Sequence, residues 1–258
     1  MTTKNKGEKG EISAIVKCLE NKDNIDWCCE KFGKMGTAGI EIIDPSTRQP
    51  ITGIENIKKA NSTVKADVII GFHNTNTKKG VSIKYFHKSN PSIINTTTRS
   101  KFVNNPKLQK TLPSMDKLIG CYLNDPVNLA KNKSECDRQL CSYVLSKDEK
   151  QDIAAAIAYF TFDGSGKGDS SVPATAVMEM VHKTKQITYT DCPSEEEKVK
   201  YVLKNWDRYI LSVRGHKLQK NGKLRTNGVS KYGATVDDML WSCYYKNESK
   251  DLEKIRGR

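Results

Sequence analysis

Nowhere in this chain is there an apolar run near the roughly 18 to 20 residues that a membrane-spanning helix requires. Met1 to Lys9 is polar and basic with no apolar stretch behind it, so no secretory signal is expected. Acidic charge is also short: 30 Asp and Glu stand against 43 Lys and Arg, for a net charge of +13. The eight cysteines form no tight framework. Cys28 and Cys29 are adjacent, and Cys136 and Cys141 have no second ligand pair nearby, which argues against a zinc site. These absences exclude a membrane span and a disulfide-built secreted module, and predict reduced thiols in an intracellular, cytoplasmic protein.

The cationic excess is what remains to be explained. Each phosphate neutralised by Lys or Arg releases a condensed counterion, so a charge of this size and sign points to nucleic acid. The 258 residues suffice for one large domain or two small ones. No repeat or linker divides them, so the expectation is one domain over 1–258.

The first periodic element is a helix from about Gly7 to Glu20, with Ile12, Ile15, Val16 and Leu19 on one face. At 100° per residue Glu8 falls within roughly 30° of the centre of that face, and Glu11 lies at its edge. Carboxylates turned toward a core need a partner; their alternative role is to suit the helix N-terminus. Ile40 to Ile43 reads as a short strand. Ala66 to Phe72 and Val81 to Phe86 are β-prone runs flanking a turn-rich Asn74 to Lys79, which predicts a hairpin. Helices are expected around Asp152 to Tyr159 and from Ser194 onward. Glu197 completes a capping pattern with Ser194, and the second helix's face is Val199, Val202, Leu203, Trp206, Ile210 and Val213. A basic, Gly-punctuated stretch from Arg214 to Lys231 and an aromatic run from Met239 to Tyr245 follow.

Chemistry concentrates in the hairpin. Asp67 opens one strand and Lys84 lies on the next, within Gly80-Val81-Ser82-Ile83-Lys84. A carboxylate there can hold a hard cation, and the Ile83 carbonyl can offer a second oxygen. Lys84 can orient or deprotonate a water, or stabilise charge building on phosphorus. The alternative is a plain strand-edge acid paired with Lys84 or Lys65.

The two runs Lys65-Ala66-Asp67-Val68-Ile69 and Gly80-Val81-Ser82-Ile83-Lys84 resemble the core of the PD-(D/E)XK nucleases of the Type II restriction class. Pro91-Ser92-Ile93-Ile94-Asn95-Thr96-Thr97 with Phe102 resembles the segment after the catalytic lysine. Asn5-Lys6-Gly7-Glu8 with Glu11-Ile12 resembles the opening helix of the HpaII-like group, where a glutamate reaches the metal. The resemblance covers about residues 5–103. It implies an α/β (α+β) fold with a mixed central sheet flanked by helices, and Mg²⁺-dependent hydrolysis of double-stranded DNA within a short recognised site. It also implies 5′-phosphate products, a homodimer for a palindromic site, and a cognate DNA methyltransferase in the same prokaryotic or viral-host system.

Two departures from the family pattern stand out. Ala66 replaces the proline before the acid, which only shapes backbone. Ser82 replaces the Asp or Glu of the triplet and removes one metal carboxylate, so the resemblance assigns the metal to Asp67, Ile83 and Glu8 or Glu11, with the Ser82 hydroxyl assisting catalysis weakly or through a metal-bound water. Glu41 and Asp44 are held in reserve. The C-terminal half is expected to complete the DNA cleft, with Asn95, Thr97, Arg99, Arg214, His216, Lys217, Gln219, Lys220, Lys223 and Arg225 as candidate DNA contacts. The same residues read alternatively as solvated basic surface. Rival readings are a structure-specific or repair nuclease of the same fold, and a non-catalytic DNA-binding protein with a decayed core.

Other motifs fail. Gly164-Ser165-Gly166-Lys167-Gly168 lacks the leading glycine and the Ser/Thr of a phosphate loop and reads as a flexible loop. His73-Asn74 lacks the partners of a histidine-type nuclease, and no nucleophile elbow is present.

Overall fold

The computed structural model describes residues 10, 12–13, 32, 39–51, 63–73, 75–87, 90–125, 138–165, 167–184, 186–214, 216–218, 224–226 and 240–247. In chain order the strands are β1 Ile40–Ile43, β2 Val68–Phe72, β3 Thr77–Phe86, β4 Ser92–Thr98, β5 Arg138–Gln139, β6 Gly164–Ser165, β7 Gly168–Asp169, β8 Ala176–Val181, β9 Ile187–Asp191, β10 Tyr209–Arg214, β11 His216–Leu218, β12 Leu224–Thr226 and β13 Leu240–Tyr245. The helices are α1 Arg99–Val103, α2 Pro106–Gln109, α3 Leu112–Asn124, α4 Lys147–Ala158 and α5 Glu195–Lys204. No helix among the described residues is long and apolar enough to cross a membrane.

The chain forms two compact units. The first comprises Met1–His87, Phe162–Gly164 and Asp169–Ser194. Its sheet is mixed, in the order β1-β2-β3-β8-β9. β1, β2 and β3 form an antiparallel meander, β8 runs parallel to β3, and β9 returns antiparallel to β8. The period-2 alternation of β2 and β3 sends Val68, Ile70, Phe72, Val81 and Ile83 into one cluster. Ala176, Met178 and Met180 of β8 extend it. Ile12 and Phe32, both helical, are buried against the same cluster, so a helical residue of the opening segment does pack on this sheet.

The sheet that carries Asp67 and Lys84 therefore takes two of its five strands from beyond residues 5–103. The hairpin turn is also tighter than expected. Lys78, Lys79 and Gly80 already belong to β3, and Asn76 takes the turn with φ of 50°. Gly80 is required by packing: a Cβ there would lie 2.3 Å from the Pro173 carbonyl oxygen.

The second unit comprises Lys88–Thr161, Ser165–Gly168 and Glu195–Arg258. Its antiparallel sheet runs β4-β13-β10-β5. α4 starts earlier than its apolar periodicity alone suggests, because Ser146 and Glu149 form a reciprocal capping box. α5 begins directly after Ser194 but ends at Lys204, and Ile210 and Val213 lie on β10 instead. A helical face and an alternating strand coincide over so short a span, and Asn205, at φ −105° and ψ 23°, breaks the helix between them. Gly164–Ser165 and Gly168–Asp169 of the glycine-rich stretch pair as a two-stranded ribbon, β6 with β7, with Gly168 at φ 117°.

Candidate active site at the β2–β3 hairpin

Asp67 sits immediately before β2, where its backbone N–H still donates to the Val81 carbonyl at 2.9 Å. Beyond that point β2 has no strand to offer the Ile83 N–H. The Asp67 side chain takes over, and Oδ2 accepts from the Ile83 N–H at 2.7 Å. The carboxylate is thus fixed against the residue that precedes Lys84. Neither Lys65 nor Lys84 forms an ion pair with it, so the plain strand-edge ion pair is not what the structure holds.

Lys84 lies on the central strand of the sheet and is only 6% exposed. Its Nζ donates to Ser82 Oγ at 2.9 Å, and Ser82 is itself 1% exposed. Ser82 therefore holds the lysine, with a hydroxyl that carries no charge to offset the ammonium. Glu179 of β8 is the Cα partner of Lys84 in the parallel register and is half-buried.

Lys65 is a second cation at this place. Its backbone N–H donates to Ser170 Oγ at 2.8 Å, with the Val172 carbonyl at 3.2 Å. Burial pushes its ammonium down to about 8, and the Lys84 charge pushes the same way, while Asp67 and Asp163 oppose the shift.

The reserve acids have other engagements. Asp44 Oδ1 accepts from the N–H groups of Ser46 and Thr47, at 2.7 and 3.0 Å, and closes the turn after β1. Glu41 lies over Gly71, where a Cβ would come within 2.8 Å of its side chain. Glu8 and Glu11 lie outside the described residues. Among the described residues no group of three or more His, Cys, Asp or Glu is gathered for a metal. Mg²⁺ keeps several waters and is held by one or two carboxylates plus substrate phosphate, so its site needs no larger cluster. Asp67, with Oδ2 on a backbone donor, fits the position of such a carboxylate.

Of the candidate DNA contacts, Arg99 opens α1 and forks onto Asp116 of α3, with Nε to Oδ1 and Nη2 to Oδ2 both at 2.8 Å. Asn95 and Thr97 are on β4, an edge strand. Arg214 ends β10. His216 and Lys217 lie on β11, with Arg225 on β12 as the Cα partner of Lys217, so part of the basic stretch is a hairpin. Gln219, Lys220 and Lys223 lie outside the described residues.

Sequence reading gave no site role to Lys65 or Glu179. Lys65 was detectable only through its place two residues before Asp67. Glu179 was not, because nothing local to Ala176–Val181 names β3 as its parallel neighbour. Compared with known proteins, the sequence matches no protein-family model and no curated protein.

Proposed function

We propose that this chain is a Mg²⁺-dependent endonuclease that hydrolyses phosphodiester bonds in double-stranded DNA within a short recognised site, as a Type II restriction enzyme does. The observation that carries this reading is the pairing of Asp67, held on the Ile83 N–H, with the buried Lys84 one residue farther along β3. The net charge of +13 supports a polyanionic substrate.

On this reading Asp67 would hold Mg²⁺, and the Ile83 carbonyl and Glu8 or Glu11 would offer further oxygens. The ion supplies acidified water and neutralises charge on the phosphate. Ser82 keeps the Lys84 ammonium in place. Lys84 orients the attacking water and stabilises the negative charge that grows on the phosphate oxygens, in a setting where burial strengthens the interaction. A palindromic site calls for two copies of the chain, and a protective methyltransferase belongs to the same system.

Digestion of a plasmid of known sequence with Mg²⁺, followed by end sequencing, tests the proposal. Discrete fragments with a common end sequence support it, and a ladder favours a structure-specific or repair nuclease. The Ser82 hydroxyl standing where an acid is expected favours a second reading, a DNA-binding protein without cleavage. Duplex binding with no Mg²⁺-dependent cutting would establish that alternative.

A further inference from the structure

We propose that His87 and His182 form a site for an imidazole-seeking divalent transition ion such as Zn²⁺ or Ni²⁺, with Tyr85 as the residue that orients His182. All three lie in the first unit. The site is independent of the nuclease reading, because neither histidine belongs to the Asp67 centre.

The sequence has four histidines, and two of them meet here. β3 and β8 run parallel with Phe86 opposite Val181, so the next residue of each chain segment continues the pairing. The His182 N–H donates to the Phe86 carbonyl at 2.9 Å and holds that register past the strand ends. The two imidazoles therefore lie side by side, with ring centroids 3.9 Å apart and planes tilted by 38°. Tyr85, two residues before His87, brings its ring to 5.9 Å from His87 and 5.7 Å from His182. Tyr85 packs on the apolar cluster, so the trio shares that side of the sheet and Lys84 faces the other.

The Tyr85 hydroxyl is hydrogen-bonded to His182 Nδ1. With Nδ1–H donating to the phenol oxygen, the lone pair resides on Nε2, the nitrogen a metal would take. An outer partner of this kind fixes the tautomer and ring angle of a ligating histidine. His87 is exposed, so its ring can turn to bring a nitrogen to the same ion at about 2.0–2.1 Å. A stack at the surface buries little apolar area, which leaves packing a weak reason for the arrangement. Two protein nitrogens leave the other coordination positions to water. Imidazole suits Zn²⁺, Ni²⁺ or Cu²⁺, whereas Mg²⁺ seeks oxygen.

The test is a calorimetric titration of the full, chelator-stripped chain with Ni²⁺ in excess Mg²⁺, which occupies oxygen-ligand sites. One saturable Ni²⁺ site is expected. Affinity should fall about 100-fold or more in His87→Ala and in His182→Gln, fall about ten-fold in Tyr85→Phe, and stay unchanged in His73→Ala. Should His182→Gln fail to fold by circular dichroism, His87→Ala, at an exposed position, carries the test. No saturable Ni²⁺ binding, binding seen only without Mg²⁺, or equal affinity in the native chain and His87→Ala overturns the site. An equal loss in His73→Ala does the same. Unchanged affinity in Tyr85→Phe overturns the tyrosine's orienting role alone. DNA cutting is not part of the readout, so this site and the nuclease reading fail separately.

Discussion

Removing the Lys65 charge should stabilise the metal-free protein, and by an amount that depends on pH. Lys65→Met keeps most of the apolar stem and deletes the ammonium. The folded pKa of about 8 against an ordinary 10.5 corresponds to roughly 3 kcal/mol of penalty when the group is charged in both states. Lys65 is only partly buried, so solvent screening brings the expected gain to about 1–3 kcal/mol. Between pH 8 and 10.5 the unfolded chain holds a proton that the folded chain has released, so native stability rises with pH across that window. Below pH 8 the penalty is present in full, and above 10.5 it is gone. Urea unfolding of both proteins, followed by circular dichroism in EDTA, should therefore show the Met variant more stable at pH 7 and the two converging as pH approaches 10.5. A Met variant no more stable at pH 7, or an advantage that does not shrink with pH, would refute the reasoning.

Asp67→Asn and Lys84→Ala should each lower Mg²⁺-dependent cleavage by about 10²-fold or more while leaving duplex binding in Ca²⁺ largely intact, as gel-shift and plasmid assays would show. Ser82→Ala should cut more slowly than the native chain but faster than Glu8→Ala or Glu11→Ala, whichever glutamate reaches the metal. Full activity in both glutamate variants would remove the opening helix from the site. Gly80→Ala should destabilise the protein by about 1–3 kcal/mol in urea, because its Cβ meets the Pro173 backbone and not a movable side chain. Neutralising Lys217 should weaken all duplex sequences alike and lower the salt slope by about one, whereas Arg225→Ala should cost about 1–3 kcal/mol and relax one base position. Binding titrations at several salt concentrations decide between them.

The hairpin was legible because both of its strands carry their own signal. Val68, Ile70 and Phe72 alternate with the residues that face away, and so do Val81 and Ile83, so register and facing followed from period 2. Asp67 and Lys84 were readable for the same reason. Tertiary context defeated the rest. Ile210 and Val213 satisfied a helical spacing that Asn205 interrupts, and the helix-like face of α5 passed into β10. The Ser146 capping box lay in plain sight, three residues ahead of Glu149, but marks a start only once the helix behind it is recognised. Ser82 as the lysine's holder follows from a buried hydroxyl meeting a buried ammonium, a fact of packing that no spacing encodes.

The parallel pairing of β3 with β8 also bears on the order of events at the ribosome. β3 ends at Phe86 and its neighbour begins at Ala176, so about ninety residues must be made before the central strand gains its second side. At about 5–20 residues per second that is a wait of several seconds. Until then the sheet face carrying Lys84 is unfinished, and the long loop to be closed makes this pairing a slow one. A chain cut short anywhere before Ala176 can make the β2–β3 hairpin yet cannot complete the sheet around it. If the hairpin is the cutting centre, half-made molecules are harmless to the cell's own chromosome, and competence arrives only late in translation.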